Sequence, residues 1–122
     1  MKKKIISIVG LLLVPVLVFA LGGQVSSRQF TKTNASTTVP ARLAAQGTFA
    51  TKVTIIGNKS ARVANTGTVY IGPTSTDDAQ AIAITTGQTV TITPAQGEFI
   101  DLYEWYLDPV TANDGVVVIY TY

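Results

Sequence analysis

The hydrophobic residues from position 39 onward fall in short runs rich in branched side chains, and several of these runs alternate with polar residues. Residues 88–93 (QTVTIT) alternate strictly, which places Val90 and Ile92 on one face and threonines on the other. A period of two is typical of strands with one buried face. Further apolar runs occupy residues 50–57, 68–72, 81–85, 99–107 and 115–122.

Turn compositions separate these runs, as in DPVTANDG (residues 108–115). No stretch of about eleven residues in this part of the chain has a helical period. Short strands spaced by turns are typical of sandwiches and barrels. The sequence therefore predicts an all-β domain over residues 39–122, a single antiparallel β-sandwich that is jelly-roll-like.

Residues 65–72 (NTGTVYIG) predict a hairpin corner that leads into a strand. Asn65 and Gly67 tolerate a positive φ, and Gly72 with Pro73 ends the strand because proline lacks the N–H that a ladder needs. We expect Asn65, Gly67 and Gly72 to be structural turn residues, with a positive φ at Gly67. The corner leads into a strand and not a helix, so it does not predict a phosphate-binding loop.

Two runs depart from simple alternation. The run VVVI (116–119) is continuously apolar, which predicts a strand covered on both faces or placed at a subunit contact. The run 99–107 carries bulky side chains on both faces if it is extended. Aromatic side chains often anchor interfaces, so five of them are candidate interface residues: Tyr103, Trp105, Tyr106, Tyr120 and Tyr122.

Three interpretations of these aromatic residues remain open: a partly exposed edge of the core, a platform for stacking sugars, and a contact with a protein partner. Of the two functional interpretations we favour the protein partner, because no cluster of Asn, Asp or Arg accompanies the rings in sequence. The terminal strand either pairs with a neighbouring chain or, as we expect, lies within its own sheet.

The N-terminal region has the layout of an export signal. Three lysines at positions 2–4 precede an apolar run over residues 5–21, which predicts that residues 1–23 are a signal peptide, or a hydrophobic anchor or arm that stays on the chain. A retained segment 5–21 would contact a membrane or pack into an assembly. Residues 24–38 are polar and rich in Ser and Thr, which predicts a linker or an arm.

Composition excludes several classes of site. The chain of 122 residues has no cysteine and no histidine, which excludes disulfides, thiolate metal sites and the commonest general base. From residue 24 onward six basic residues stand against seven acidic ones, too balanced for a nucleic-acid-binding patch. The bases all precede position 63 and the acids all follow position 76. We interpret this sorting as an ordinary solvated surface, with complementary faces that stack head to tail as the alternative.

The carboxylates form two groups in sequence. Asp77 and Asp78 lie in an oxygen-rich loop of a kind that suits calcium, but EF-hand spacing is absent and ordinary turn chemistry is the expectation. The second group is Glu98, Asp101, Glu104 and Asp108. On an extended strand Asp101 and Glu104 point to opposite faces, so they cannot flank one glycosidic bond. We predict no catalytic residues, no metal and no cofactor.

Four segments carry a family resemblance: residues 65–72, 86–92, 101–107 and 115–120. They supply, in order, an NTGTVY corner, a TGQ turn that leads into a strand, a DLYEWYL segment and a final strand led by glycine. This order resembles small β-sandwich structural proteins of tailed phages that are associated with the head or virion. The resemblance covers about residues 48–122 and implies a structural module without catalytic residues.

The sequence thus predicts a non-enzymatic structural or decoration subunit of a phage-type virion or surface assembly. It would act by self-association or by contact with other virion or surface proteins. The alternative is a secreted or membrane-anchored β-sandwich module that recognises glycans or surfaces, or an extracellular filament subunit. These functions place the protein in a virion, or exported to the cell surface, and on a membrane if the leader is retained.

Overall fold

The computed structural model describes residues 26–122. The predictions for residues 1–23 lie outside the described residues. The described elements are β1 (Ser27–Thr33), β2 (Ala41–Arg42), β3 (Phe49–Ala50), β4 (Lys52–Ile56), β5 (Asn58–Ser60), β6 (Val63–Ala64), β7 (Val69–Gly72), β8 (Ile82–Ile84), β9 (Thr89–Ile92), β10 (Ile100–Asp101), a 3₁₀ helix (Leu102–Glu104), β11 (Tyr106–Pro109) and β12 (Gly115–Thr121). Among these residues no helix is long and apolar enough to cross a membrane.

Eight of the strands form two four-stranded sheets, ordered β1-β12-β4-β9 and β2-β11-β7-β8, and every pairing is antiparallel. If these eight strands are numbered 1 to 8 in chain order, the first sheet has the order 1-8-3-6 and the second sheet has the order 2-7-4-5. This is the strand order of a jelly roll. Two short pairs, β3 with β10 and β5 with β6, flank the sheets. The predicted all-β, antiparallel fold is confirmed.

The core is a layer of branched aliphatic side chains from the inner faces of both sheets. Each such residue, once fully buried, stabilises the fold by roughly 1.5–3 kcal/mol through apolar burial. The alternation predicted for two of the strands is confirmed, since Val53 and Ile55 are fully buried on β4 and Val69 and Ile71 on β7. The other members of the core are Leu43, Ala50, Ile84, Leu102, Leu107, Val116 and Val118.

The continuously apolar strand β12 lies in the interior of its sheet, between β1 and β4. Val116 and Val118 face the core, and Val117 on the opposite face is also buried. Its cross-strand neighbours are Thr31 on β1 and Ile56 on β4. Cover on both faces accounts for the lack of alternation.

The prediction of a linker or arm over residues 24–38 is wrong for Ser27–Thr33, which form β1 and pair with β12 along its whole length. The physical reason lies in the inward positions of this edge strand. Arg28, Phe30 and Lys32 face the same side as Tyr120 and the core residues of β12. Two of these three positions are basic, so the strand has no hydrophobic period that the sequence could reveal.

The run 99–107 is not one extended strand. The Asp101 carboxylate accepts a hydrogen bond from Tyr103 N at 3.1 Å, and Leu102 N donates to Thr48 O at 2.8 Å. These bonds wind Leu102–Glu104 into a turn of 3₁₀ helix between β10 and β11. The two faces expected for an extended run therefore do not exist.

Candidate functional site

The five candidate aromatic residues lie in separate places on the sandwich. Tyr120 and Tyr122 meet Arg28 at the end of the β1–β12 pair. Tyr103 and Tyr106 stack on one arginine of β2. Trp105 is half-buried and packs against the core, while its carbonyl accepts from Leu43 N at 2.7 Å. Their role in an interface stays a prediction.

The first aromatic group is organised by Arg28. Its Nε donates to Tyr122 Oη at 3.1 Å, and its guanidinium lies 5.0 Å from the centre of the same ring. The rings of Tyr120 and Tyr122 are 5.9 Å apart, and Phe30 meets Tyr120 edge-on at 5.9 Å. The hydrogen bond and the nearby tyrosines raise the pKa of Arg28 above its ordinary value. Arg28 is therefore a permanent cation that lies beside aromatic rings.

A cleft of about 290 Å³ opens beside this group, lined by Arg28, Gly47, Thr48, Phe49, Tyr120 and Tyr122. Phe49 is 45 % exposed, and it contacts the still more exposed Phe99 edge-on with ring centres 5.1 Å apart. The polar groups of the lining are one guanidinium and hydroxyls, with no carboxylate or carboxamide side chain. This end of the sandwich therefore presents apolar rings around one positive charge.

The second aromatic group is centred on Arg42. Its guanidinium lies 3.9 Å from the ring centre of Tyr103 and 4.9 Å from that of Tyr106. Its Nη1 donates to Tyr103 O at 2.8 Å and lies 4.0 Å from Glu104 Oε1. The stack connects β2 to the 3₁₀ helix and β11, so the Arg42 guanidinium is already engaged within the fold.

Two of the predicted corner residues, Asn65 and Gly67, lie against residues 111–115 at the start of β12, and Gly72 approaches the start of β8. Asn65 is buried and bonds Gly115 twice, donating from Nδ2 to its carbonyl at 2.7 Å and accepting at Oδ1 from its N–H at 3.0 Å. Gly72 ends β7 where a Cβ would lie 2.9 Å from Ala81 N. The expected positive φ at Gly67 is wrong. A Cβ at Gly67 would instead lie 2.9 Å from Thr111 Oγ1, so close approach, not left-handed backbone, favours glycine.

The corner is completed by Asp114, which the sequence did not single out. This carboxylate is fully buried and accepts from Thr66 N at 2.9 Å and Gly67 N at 2.7 Å. Lys59 Nζ lies 3.3 Å from its Oδ1. Burial alone would raise the pKa of Asp114, but the two N–H donors and the ammonium outweigh it and lower the pKa below its usual value. These contacts hold the corner in place within the fold.

The second group of carboxylates serves separate local contacts. Asp101 caps the 3₁₀ helix and Glu104 lies beside Arg42. Asp108 is buried on β11, where it accepts from Asp78 N at 3.0 Å. This last contact brings Asp108 to the loop of Asp77 and Asp78.

Two consecutive edge strands carry no charged residue. Residues 79–97 contain no Asp, Glu, Lys or Arg, and they form both β8 and β9, which are edge strands of the two sheets. The outward residues Thr89 and Thr91 of β9 are exposed. At the opposite side of the first sheet, the edge strand β1 carries Arg28 and Lys32.

The backbone of β9 also has free hydrogen-bonding groups. Gly57 N donates to Gln88 O at 2.9 Å at the start of the β4–β9 ladder. Bonded and non-bonded pairs alternate along an antiparallel ladder. Val90 therefore bonds to β4, whereas Thr89 and Thr91 direct their N–H and C=O groups away from it. No strand of the described region pairs with that side of β9.

No protein-family model, no curated protein and no solved structure matches the chain.

Proposed function

We propose that this chain is a non-enzymatic structural or decoration subunit that self-associates, in a phage-type virion or in an exported surface assembly. The observation that carries the proposal is the uncharged edge formed by β8 and β9. A jelly roll alone would not carry it, because one fold serves many functions.

Unpaired edge strands recruit other strands, so soluble monomers usually protect them with charges, prolines or bulges. The β1 edge follows that rule through Arg28 and Lys32. The β9 edge has neither charge nor proline, since its four residues are Thr, Val, Thr and Ile, and only its short length limits pairing. Strand addition between two copies of β9 would satisfy the outward groups of Thr89 and Thr91 and continue the sheet across the subunits.

The aromatic surfaces fit the same function as lateral contacts. The exposed Phe49–Phe99 pair and the rings around Arg28 form an apolar patch with a cation at its centre. Tyr and Arg are enriched among residues that dominate binding energy. In an assembly these rings would meet a neighbouring subunit or another virion or surface protein. Residues 5–21, if retained, would add a membrane contact.

Thr91→Lys tests the edge. The substitution places a charge at the centre of the free edge and leaves the ladder of Val90 with β4 untouched. Thr31→Lys is the matched control, because Thr31 is an exposed residue on the outer face of the opposite edge strand. We expect sedimentation velocity at micromolar concentration to show oligomers for the wild type and Thr31→Lys and a monomer for Thr91→Lys. Equal association of all three proteins would overturn the edge as the contact.

A second candidate function is glycan or surface recognition by a secreted or membrane-anchored monomer. The cleft with Tyr120, Tyr122 and Phe49 favours it, because aromatic faces stack on sugars. In that case the wild type would be monomeric and would bind an oligosaccharide saturably, and Tyr122→Ala would abolish the binding. An extracellular filament subunit would instead give open-ended polymers visible by electron microscopy.

A further inference from the structure

Three carboxylates that are separate in the sequence meet beside the second sheet. Asp77 and Asp78 come from the loop between β7 and β8, and Asp108 comes from β11. One oxygen of each lies within 4.8 Å of the others. Asp108 is buried, with 3 % of its surface exposed. Among residues 26–122 no lysine or arginine forms an ion pair with any of the three.

A buried oxygen of the same β7–β8 loop lacks a partner. Gln80 is 7 % exposed, and its Nε2 donates to Thr74 O at 2.8 Å and Thr76 O at 2.9 Å. These two bonds fix which end of the carboxamide is the oxygen. Gln80 Oε1 is left buried with no hydrogen-bond donor in the described region.

The amide and one of the three carboxylate residues, Asp78, line the same cavity. Gln80 and Asp78 line a space of about 290 Å³ together with Tyr70 and Val110. Buried polar atoms are nearly always satisfied, and an exception requires a reason such as an ion. The orphaned oxygen is therefore an indication of a ligand that is independent of the acidic cluster.

We propose that Asp77, Asp78, Asp108 and Gln80 Oε1 bind a calcium ion. Carboxylate and carboxamide oxygens are the ligands of hard cations, and Ca²⁺ accepts six to eight of them in irregular geometry, with carboxylates binding through one or two oxygens and water completing the shell. Mg²⁺ requires a near-ideal octahedron and sheds its water reluctantly. Two exposed loop carboxylates and one fixed strand carboxylate suit the larger ion.

The electrostatics of the cluster agree with this assignment. Desolvation by the surrounding protein and the neighbouring carboxylates of Asp78 and Asp108 raise the pKa of Asp77 above its usual value. A divalent cation between the three groups would reverse the repulsion and tie the β7–β8 loop to β11. The site stands apart from the β9 edge and does not depend on the proposed self-association.

Terbium luminescence tests the site in the full-length protein. Tb³⁺ binds at calcium sites and is excited by a nearby tyrosine, and Tyr70 lines this cavity. We expect tyrosine-excited Tb³⁺ emission that CaCl2 displaces at sub-millimolar to millimolar concentration, the range of extracellular calcium modules. MgCl2 should displace it at least about tenfold less effectively. Equal displacement by both ions would overturn the assignment to calcium.

Variants locate the ion. Asp77→Asn keeps the shape of an exposed loop residue but removes the charge of a direct ligand. It should weaken Ca²⁺ binding about tenfold or more, since the loss of a residue that only supports a metal ligand already weakens metal binding by that much. Glu98→Gln removes an exposed carboxylate from another loop and should leave the affinity unchanged. A melting scan gives a second readout, since a ligand that binds only the folded state raises Tm. No emission, no Tm rise with CaCl2, or equal affinities for Asp77→Asn and the wild type would overturn the proposal.

Discussion

At the scale of single residues, Asp114 determines how the corner is held. A fully buried carboxylate is costly unless donors surround it, and here two backbone N–H groups and Lys59 do so. This role could not be predicted from the sequence, because the N–H donors lie 47 and 48 positions earlier in the chain. Local turn composition predicted a corner here, but it could not show that the Asp114 carboxylate accepts the N–H groups of that corner.

Asp114→Asn should therefore lower the free energy of unfolding by about 2–3 kcal/mol, because two N–H donors and an ammonium lose their shared anion. Urea unfolding at neutral pH measures the loss. Glu98→Gln, at an exposed position, should change the free energy by less than about 0.5 kcal/mol. A loss of that small size for Asp114→Asn would contradict the structural role.

The same residue sets a pH dependence. The folded pKa of Asp114 is lowered below its unfolded value, so the stability that its ionisation contributes is present above about pH 4 and is lost as the pH falls through the folded pKa. The gap in stability between the wild type and Asp114→Asn should therefore be widest near pH 7 and shrink below pH 4. Paired urea curves at pH 7, 5 and 3 measure the gap. A constant gap would mean that charge is not what Asp114 contributes.

Gly67 shows that the right residue was identified for the wrong reason. Its φ is not positive, but a Cβ would lie 2.9 Å from Thr111 Oγ1. We expect Gly67→Ala to cost roughly 1 kcal/mol or more through overpacking. In a Thr111→Ala background most of that cost should disappear. The cost is measured by urea unfolding. An equal cost in both backgrounds would mean that the backbone conformation at Gly67, and not the contact with Thr111, favours glycine.

At the scale of elements, prediction succeeded where burial was one-sided and apolar, and it failed where polar residues face inward. Alternation on β4 and β7 was readable because the inward positions are Val and Ile. On β1 the inward positions include Arg28 and Lys32, whose stems can lie along apolar surface while the charge stays outside. The break at Asp101 depends on a side-chain bond to Tyr103 N, which hydrophobic periodicity does not register.

Phe30→Ala tests whether β1 belongs to the fold. Phe30 packs against the core and contacts Tyr120 edge-on, so its loss should cost about 2 kcal/mol, less than a fully buried Phe. Gln29→Ala, at the exposed neighbouring position, should be close to neutral. Both are compared by their urea midpoints. If Phe30→Ala were as neutral as Gln29→Ala, the segment would behave as the linker that its composition suggested.

At the scale of the whole molecule, the fold class was predictable because alternation and turn residues are local signals. The grouping of candidate residues was not, because it depends on contacts far apart in the chain. Arg28 and Tyr122 are 94 positions apart, and Asp108 meets Asp78 across 30. The aromatic residues were found in the sequence, whereas the arginines that organise them and the third carboxylate of the acidic cluster required the tertiary structure.

The proposed self-association has an expected response to salt. Association through the uncharged β8–β9 side joins backbone groups and neutral side chains, so its strength should hardly change between 50 and 500 mM NaCl, where the Debye length falls from about 14 to about 4 Å.

A head-to-tail contact between the basic first half and the acidic second half would behave differently, because screening would weaken it progressively over the same range. Sedimentation velocity of the wild type across this salt series, with Thr91→Lys alongside as the monomeric reference, separates the two contacts. Association that falls steeply with salt would show that the contact is formed by the basic and acidic halves and not by the neutral edge. Thr91→Lys would then associate like the wild type.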